Sequence, residues 1–321
     1  MITAEQTIDE QERFRAGDTR ILARYLTRVE NHAAGMEEVL ADLYRHTGQA
    51  WRVGFTGPPG AGKSTLVNQA TLRYRRSELS VGVVAFDPTS PFTGGALLGD
   101  RIRMEKLTLD PGVFIRSMAT RGQLGGLAVA VDEACDLMDA FGKDRVLIET
   151  VGVGQSELEV AHSADTTVVV LVPQSGDSIQ AMKAGLMEIA DIFVLNKSDR
   201  DGADRAYREL TSIVQMKHSP EGWMPPVLKT TAEKGEGVDE LLETIQTHRR
   251  HLTETGLLET RRKSRIASKV QRLVEDAIRK DLWRSDRDTR RRDDLDHTRS
   301  PYDLAKDLVN DFYREISDER R

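Results

Sequence analysis

Gly57-Pro58-Pro59-Gly60-Ala61-Gly62-Lys63-Ser64-Thr65 fills the pattern G-x-x-x-x-G-K-[ST] in full. The apolar run Val53-Gly54-Phe55 stands just before it, and a helical stretch over 66–74 follows. Strand, glycine-rich turn and helix in that order make a cradle for phosphate. Glycines let the backbone curl until successive N–H groups converge on one set of oxygens. The helix start adds the positive end of its dipole. In such a cradle Lys63 reaches the β- and γ-phosphates, the Ser64 hydroxyl ligates Mg2+, and Thr65 lies near the α-phosphate.

Working outward, short apolar runs recur at 53–55, 81–86, 113–115, 146–148, 166–172, 192–195 and 227–228, separated by glycine-rich or polar turns and helical stretches. They lack polar alternation, so each is expected to be buried on both faces, as parallel strands are. Strands alternating with helices imply right-handed crossovers and a doubly wound, mostly parallel α/β sheet. Before it, Ile21, Leu22, Tyr25, Leu26 and Val29, then Met36, Val39, Leu40 and Leu43, repeat at helical spacing and predict two amphipathic helices. After it, two more helical stripes run from Ile266 to Leu282 and from Tyr302 to Ile316, on either side of a charged break at 284–299. The expected organisation is an N-terminal helical segment over 1–49, a P-loop domain over 50–250 and a C-terminal helical arm over 251–321. The arm's apolar stripe packs either on its own domain or on a second subunit, and the pattern leaves both open.

Asn196-Lys197-Ser198-Asp199 follows the run at 192–195 and matches N-K-x-D. Guanine presents N1–H and N2–H2 donors, and one carboxylate, Asp199, can accept both. Adenine has neither, so the carboxylate would be left desolvated and unpaired, a mismatch on the order of 10⁴-fold. Lys197 can lay its stem over the base and Asn196 can tie loops together. After the run at 227–228, Thr231-Ala232-Glu233 resembles the S-A-x segment whose backbone N–H meets guanine O6, with Thr231 in place of Ser. GTP is therefore the expected nucleotide, GDP its product and Mg2+ its counterion.

Mg2+ takes hard oxygen ligands. Acids at the carboxyl ends of strands, where an open α/β sheet binds ligands, are the candidates: Asp87, Asp100 and Glu149 beside Ser64. Glu149-Thr150-Val151-Gly152 stands where GTPases carry a D-x-x-G switch, with Glu for Asp. Gln155 is a candidate to orient water.

Composition narrows the class. The 321 residues carry a net charge of −6, with 39% hydrophobic and 31% charged residues. No apolar run is long enough for a membrane span. Residues 1–12 have neither the basic start nor the apolar middle of a secretory signal, so a cytoplasmic location is expected. One cysteine, Cys135, excludes an intrachain disulfide framework and a cysteine-rich metal cluster. Basic residues near the C-terminus are interleaved with acids, as in Asp286-Arg287-Asp288 and Arg292-Asp293-Asp294, a solvated surface rather than a nucleic-acid groove.

Over 50–240 the sequence resembles the MeaB/ArgK family of P-loop GTPases, bacterial counterparts of the human methylmalonic aciduria type A protein. The blocks that carry the resemblance are 57–65, Asp87-Pro88-Thr89-Ser90 with Leu98-Gly99-Asp100-Arg101, Met118-Ala119-Thr120-Arg121-Gly122, the run from Glu149 to Glu157, and 196–199. The resemblance implies a homodimer joined through the C-terminal arm and a low intrinsic GTPase activity that rises with its partner. That partner is an adenosylcobalamin-dependent acyl-CoA mutase, chiefly methylmalonyl-CoA mutase. GTP binding and hydrolysis gate cofactor loading and protect or reactivate it. Lys63, Asp87, Asp100 and Glu149 fall on the family's nucleotide and Mg2+ positions. The segment 174–188, with Asp177 and Lys183, resembles the one that couples nucleotide state to the partner. Two rivals within the class are a nickel-chaperone GTPase, which needs Cys and His clusters this sequence lacks, and a kinase of a periplasmic amino-acid-binding protein.

Overall fold

The structure, a computed structural model, describes residues 4–88, 107, 109–120, 124–150, 161–173, 185–216, 222–283 and 300–319. In chain order these form α1 (Ala4–Arg15), α2 (Thr19–Glu30), α3 (Met36–Leu43), β1 (Trp51–Thr56), α4 (Lys63–Arg76), β2 (Val81–Pro88), β3 (Val113–Thr120), α5 (Leu124–Ala140), β4 (Arg145–Thr150), β5 (Thr166–Leu171), α6 (Leu186–Ile189), β6 (Ile192–Asn196), α7 (Ala203–Gln215), β7 (Val227–Thr230), α8 (Val238–Glu254), α9 (Leu257–Leu282) and α10 (Pro301–Glu319). All seven apolar runs are strands of one seven-stranded sheet in the order β3-β2-β4-β1-β5-β6-β7. Every pairing in it is parallel. This is a doubly wound parallel α/β sheet, with the phosphate-loop motif between β1 and α4. Its strand order reverses beside β1, so the crevice at the carboxyl ends of the central strands is where a ligand sits.

Alternation along the strands divides the core between two faces. Val53, Phe55, Val168, Val170 and Val194 pack with α4 and α8 through Leu66, Val67, Ala70, Leu241 and Ile245. On the other face, Val169, Leu171, Phe193 and Leu195 meet α7 through Ala206 and Leu210. There, Val84, Met118, Val146 and Ile148 meet α5, over which α2 and α3 lie. The face of α2 is Ile21, Leu22, Tyr25, Leu26 and Val29, each buried, at roughly 1.5–3 kcal/mol per large side chain. Asp18 caps its start by accepting the Arg20 N–H at 2.9 Å, worth about 1 kcal/mol. Helix α1 adds Phe14, which stacks on Tyr25 with ring centroids 5.5 Å apart. The sequence reading placed no helix at 4–15.

At the amino ends of the strands, opposite the crevice, two carboxylates are buried. Asp165 precedes β5 and accepts Arg262 Nη2 at 3.0 Å and Arg265 Nη1 at 3.1 Å. Asp191 precedes β6 and accepts Arg261 Nη2 at 2.9 Å, with His248 Nε2 at 3.3 Å. Burial pushes both carboxyls up. Arg265, Arg262 and Arg52 at Asp165, and His248 and Arg261 at Asp191, more than offset it, so both lie below the usual carboxylate range. The first turns of α9 are thereby pinned to the sheet.

The chain divides into two compact units, Met1–Ile266 and Ala267–Arg321. The first holds the sheet, its helices and the root of α9. The second holds the rest of α9 and α10. No residue of α9 is buried, and Val270, Val274 and Ile278 on its stripe are about half exposed.

Candidate nucleotide site

The loop from β1 to α4 is shaped by two glycines whose positions admit no side chain. Gly57 has φ +131°, and a Cβ there would lie 2.1 Å from the Val170 carbonyl oxygen of β5. Gly62 has φ +92°, and its Cβ would lie 2.2 Å from Asn196 Nδ2. Both conformations are strained for an L side chain, and both contacts are with the neighbouring walls of the crevice. Lys63 opens α4 and is buried; its ammonium donates to the Gly57 and Pro58 carbonyls at 2.8 and 2.9 Å. Pro59 and Gly60 are exposed at the loop's crest, and Ala61 is buried.

Ser64 and Glu149 come together. Glu149, buried in β4 and opposite Phe55 of β1 in register, accepts the Ser64 hydroxyl on Oε1. Thr65, next along α4, is half-buried. Asp87 lies next to the end of β2, in register with Ala119 of β3; its side chain is outside the described residues, as are Asp100, Gln155, Asp177 and Lys183. Among the described residues no group of three His, Cys, Asp or Glu side chains is gathered to hold a metal. The oxygen pair of Ser64 and Glu149 is hard, fitting Mg2+ rather than a softer ion.

Asn196 ends β6, is buried, and joins three loops. Its Nδ2 donates to the Ala61 carbonyl at 2.8 Å, and its Oδ1 accepts from Thr230 Oγ1 and from the Ala232 N–H, both at 3.0 Å. Lys197 has φ +59° and reaches across to the Gly60 carbonyl at 2.8 Å. The phosphate-loop motif, the N-K-x-D motif and the turn after β7 are thus tied by two side chains of a single motif. Asp199 keeps its carboxylate at the surface, 3.1 Å from Lys234 Nζ. That hydrogen bond holds the carboxyl below its usual range. Thr231 and Ala232 are buried and Glu233 is exposed.

Two site residues escaped the sequence reading. Lys234 lies one position past the S-A-x-like segment. Arg73, on the far end of α4, donates Nη2 to the Gly235 carbonyl at 2.8 Å and Nε to Asp239 at 2.5 Å. Only the paired glycines Gly235 and Gly237 hinted at a shaped turn there.

A family model described as "Methylmalonyl Co-A mutase-associated GTPase MeaB" matches residues 22–287. A protein of Pyrococcus horikoshii named as a GTPase is 51% identical over 279 residues, 86% of this chain and 88% of that one. The GTPase ArgK of Escherichia coli is 36% identical over 293 residues, 88% of each chain. A crystal structure described as "LAO/AO transport system kinase" aligns with a TM-score of 0.73 and 28% identity, covering 98% of this chain and 99% of that one. The full phosphate-loop motif, the guanine-type motif tied to it and these likenesses lead to one conclusion: the chain belongs to the MeaB family of P-loop GTPases.

Proposed function

We propose that this chain is a GTP-driven chaperone of an adenosylcobalamin-dependent acyl-CoA mutase, methylmalonyl-CoA mutase by the description its family carries. It gates cofactor loading and protects or reactivates the mutase. The observation that carries the nucleotide half of this reading is the Asn196 side chain, bonded at once to the phosphate loop and to the loop that meets the base. The two loops thus share one side chain.

Hydrolysis of GTP needs positioning and charge neutralisation more than covalent chemistry. Lys63 exchanges its carbonyl partners for the β- and γ-phosphates, and the loop N–H groups take the remaining oxygens. Mg2+, when bound, neutralises charge between the phosphates. Ser64 and Glu149 would hold it, with Asp87 and Asp100 completing the set. Thr231, Ala232 and Glu233 border the base, and Asp199 accepts its two donors. Turnover is slow in the chain alone and rises when a partner completes the site. Gln155, Asp177 and Lys183 are the residues we assign to coupling with that partner. The half-exposed stripe Val270, Val274 and Ile278 is the contact we assign to a homodimer.

Purification of endogenous partners with the chain held in GDP or in a non-hydrolysable GTP analogue tests the assignment. Capture of a cobalamin mutase that differs between the two states supports it. Capture of no mutase in either state contradicts it. The second reading, a kinase of a periplasmic amino-acid-binding protein, has the name of the similar solved structure in its favour. Label from γ-labelled GTP on a protein acceptor supports the kinase, and free phosphate supports the chaperone.

A further inference from the structure

The Asp199 carboxylate meets the Lys234 ammonium, and the turn that presents this lysine is fixed from several sides. Thr231 and Glu236 form an antiparallel bridge, with the Thr231 N–H on the Glu236 carbonyl at 3.0 Å. Inside it, the Lys234 N–H donates to the Thr231 carbonyl at 2.9 Å. A Cβ at Gly237 would lie 2.2 Å from the Lys229 carbonyl oxygen, so the turn closes against β7. Arg73 holds it from α4 through the Gly235 carbonyl, and Asn196 holds it from β6 through the Ala232 N–H. Lys234 therefore reaches Asp199 from an anchored backbone, with Nζ 3.1 Å from Oδ2.

A carboxylate has about four lone-pair positions. Guanine N1–H and N2–H2 take one on each oxygen, and an ammonium on Oδ2 takes a third. We propose that Lys234 is a specificity-determining residue of the guanine pocket: its ammonium holds Asp199 as a fixed double acceptor, so that the base meets a carboxylate already in place. The hydrogen bond with Lys234 lowers the Asp199 carboxyl, and the same bond raises Lys234. Being exposed, it is weakened by salt. The inference rests on the reading of Asp199 as the guanine acceptor.

Calorimetric titration of the full chain with GDP and with ADP tests it, using Lys234→Met, Lys234→Arg, Asp199→Asn and the Lys234→Met, Asp199→Asn double variant. Lys234→Met should weaken GDP about three- to five-fold at low salt and leave ADP unchanged. The loss should shrink in about 0.5 M salt, Lys234→Arg should recover most of it, and it should vanish in the Asp199→Asn background. If Asp199→Asn weakens GDP while Lys234→Met does not, the role of Lys234 is overturned and the pocket stands. Equal weakening of GDP and ADP by Lys234→Met means a damaged turn and also overturns it. If Asp199→Asn leaves the preference for GDP over ADP unchanged, the pocket reading itself falls.

Discussion

Asn196 uses both ends of its amide inside the protein, whereas Asp199, three residues on, keeps its carboxylate at the surface. The two residues of one motif thus have separable effects. Asp199→Asn should leave the fold intact and weaken GTP by about 10²- to 10⁴-fold. It should admit xanthosine triphosphate, whose O2 complements the new amide donor. Calorimetry with both nucleotides checks this, and unchanged GTP affinity would count against the assignment. Both residues were legible in the sequence because N-K-x-D fixes their types at a strand end. Lys234 was not, because a Coulombic partner 35 positions away in sequence is found only when the turn after β7 folds back.

Elements were legible where their apolar residues form an unbroken run or a periodic stripe. All seven strands stood out, since parallel strands covered on both faces read as unbroken apolar runs. Helix α1 did not, because among its described apolar side chains Phe14 enters the core while Ile8 is exposed, and its Glu10 is buried beside Arg24 and Arg28 instead. The stripe on α9 was legible as a periodicity, but no residue of α9 is buried, so periodicity did not reveal its partner. The phosphate loop illustrates how an element depends on its neighbour. Gly62→Ala sets a methyl 2.2 Å from Asn196 Nδ2 at a φ of +92°. It should cost about 1–3 kcal/mol in strain and detach Asn196 from Ala61. Denaturant unfolding and GDP titration should both fall, and a Gly62→Ala protein with wild-type values in both would show that the contact does not matter.

At the scale of the whole molecule, the sheet has a nucleotide end and a charged end. Asp165 and Asp191 lie at the amino ends of β5 and β6, whose opposite ends lead to residues 172–173 and to Asn196. Neither aspartate carried a motif, and only the triplet Arg261, Arg262 and Arg265 on one helix marked the place where they would be met. Both carboxyls are depressed below their unfolded value, so their contribution is full above about pH 4 and is lost as pH falls through the folded value. Wild-type stability should therefore drop on acidification below about pH 4. Asp165→Asn should lose about 3–5 kcal/mol at neutral pH, where it leaves arginines without their charge partner, and show a shallower acid limb. Thermal melts between about pH 3 and 7 decide it, and a variant with the wild-type acid limb would contradict the role of Asp165.

These scales meet at one place, where the phosphate-loop motif is tied by Asn196 and Lys197 to the segments we propose to read the base. Release of inorganic phosphate from GTP and from ATP, followed side by side with the purified chain and Mg2+, tests that pocket most directly. The structure predicts slow release from GTP, abolished by Lys63→Ala, and none above background from ATP. Equal release from the two nucleotides, or release from GTP that survives Lys63→Ala, would contradict it.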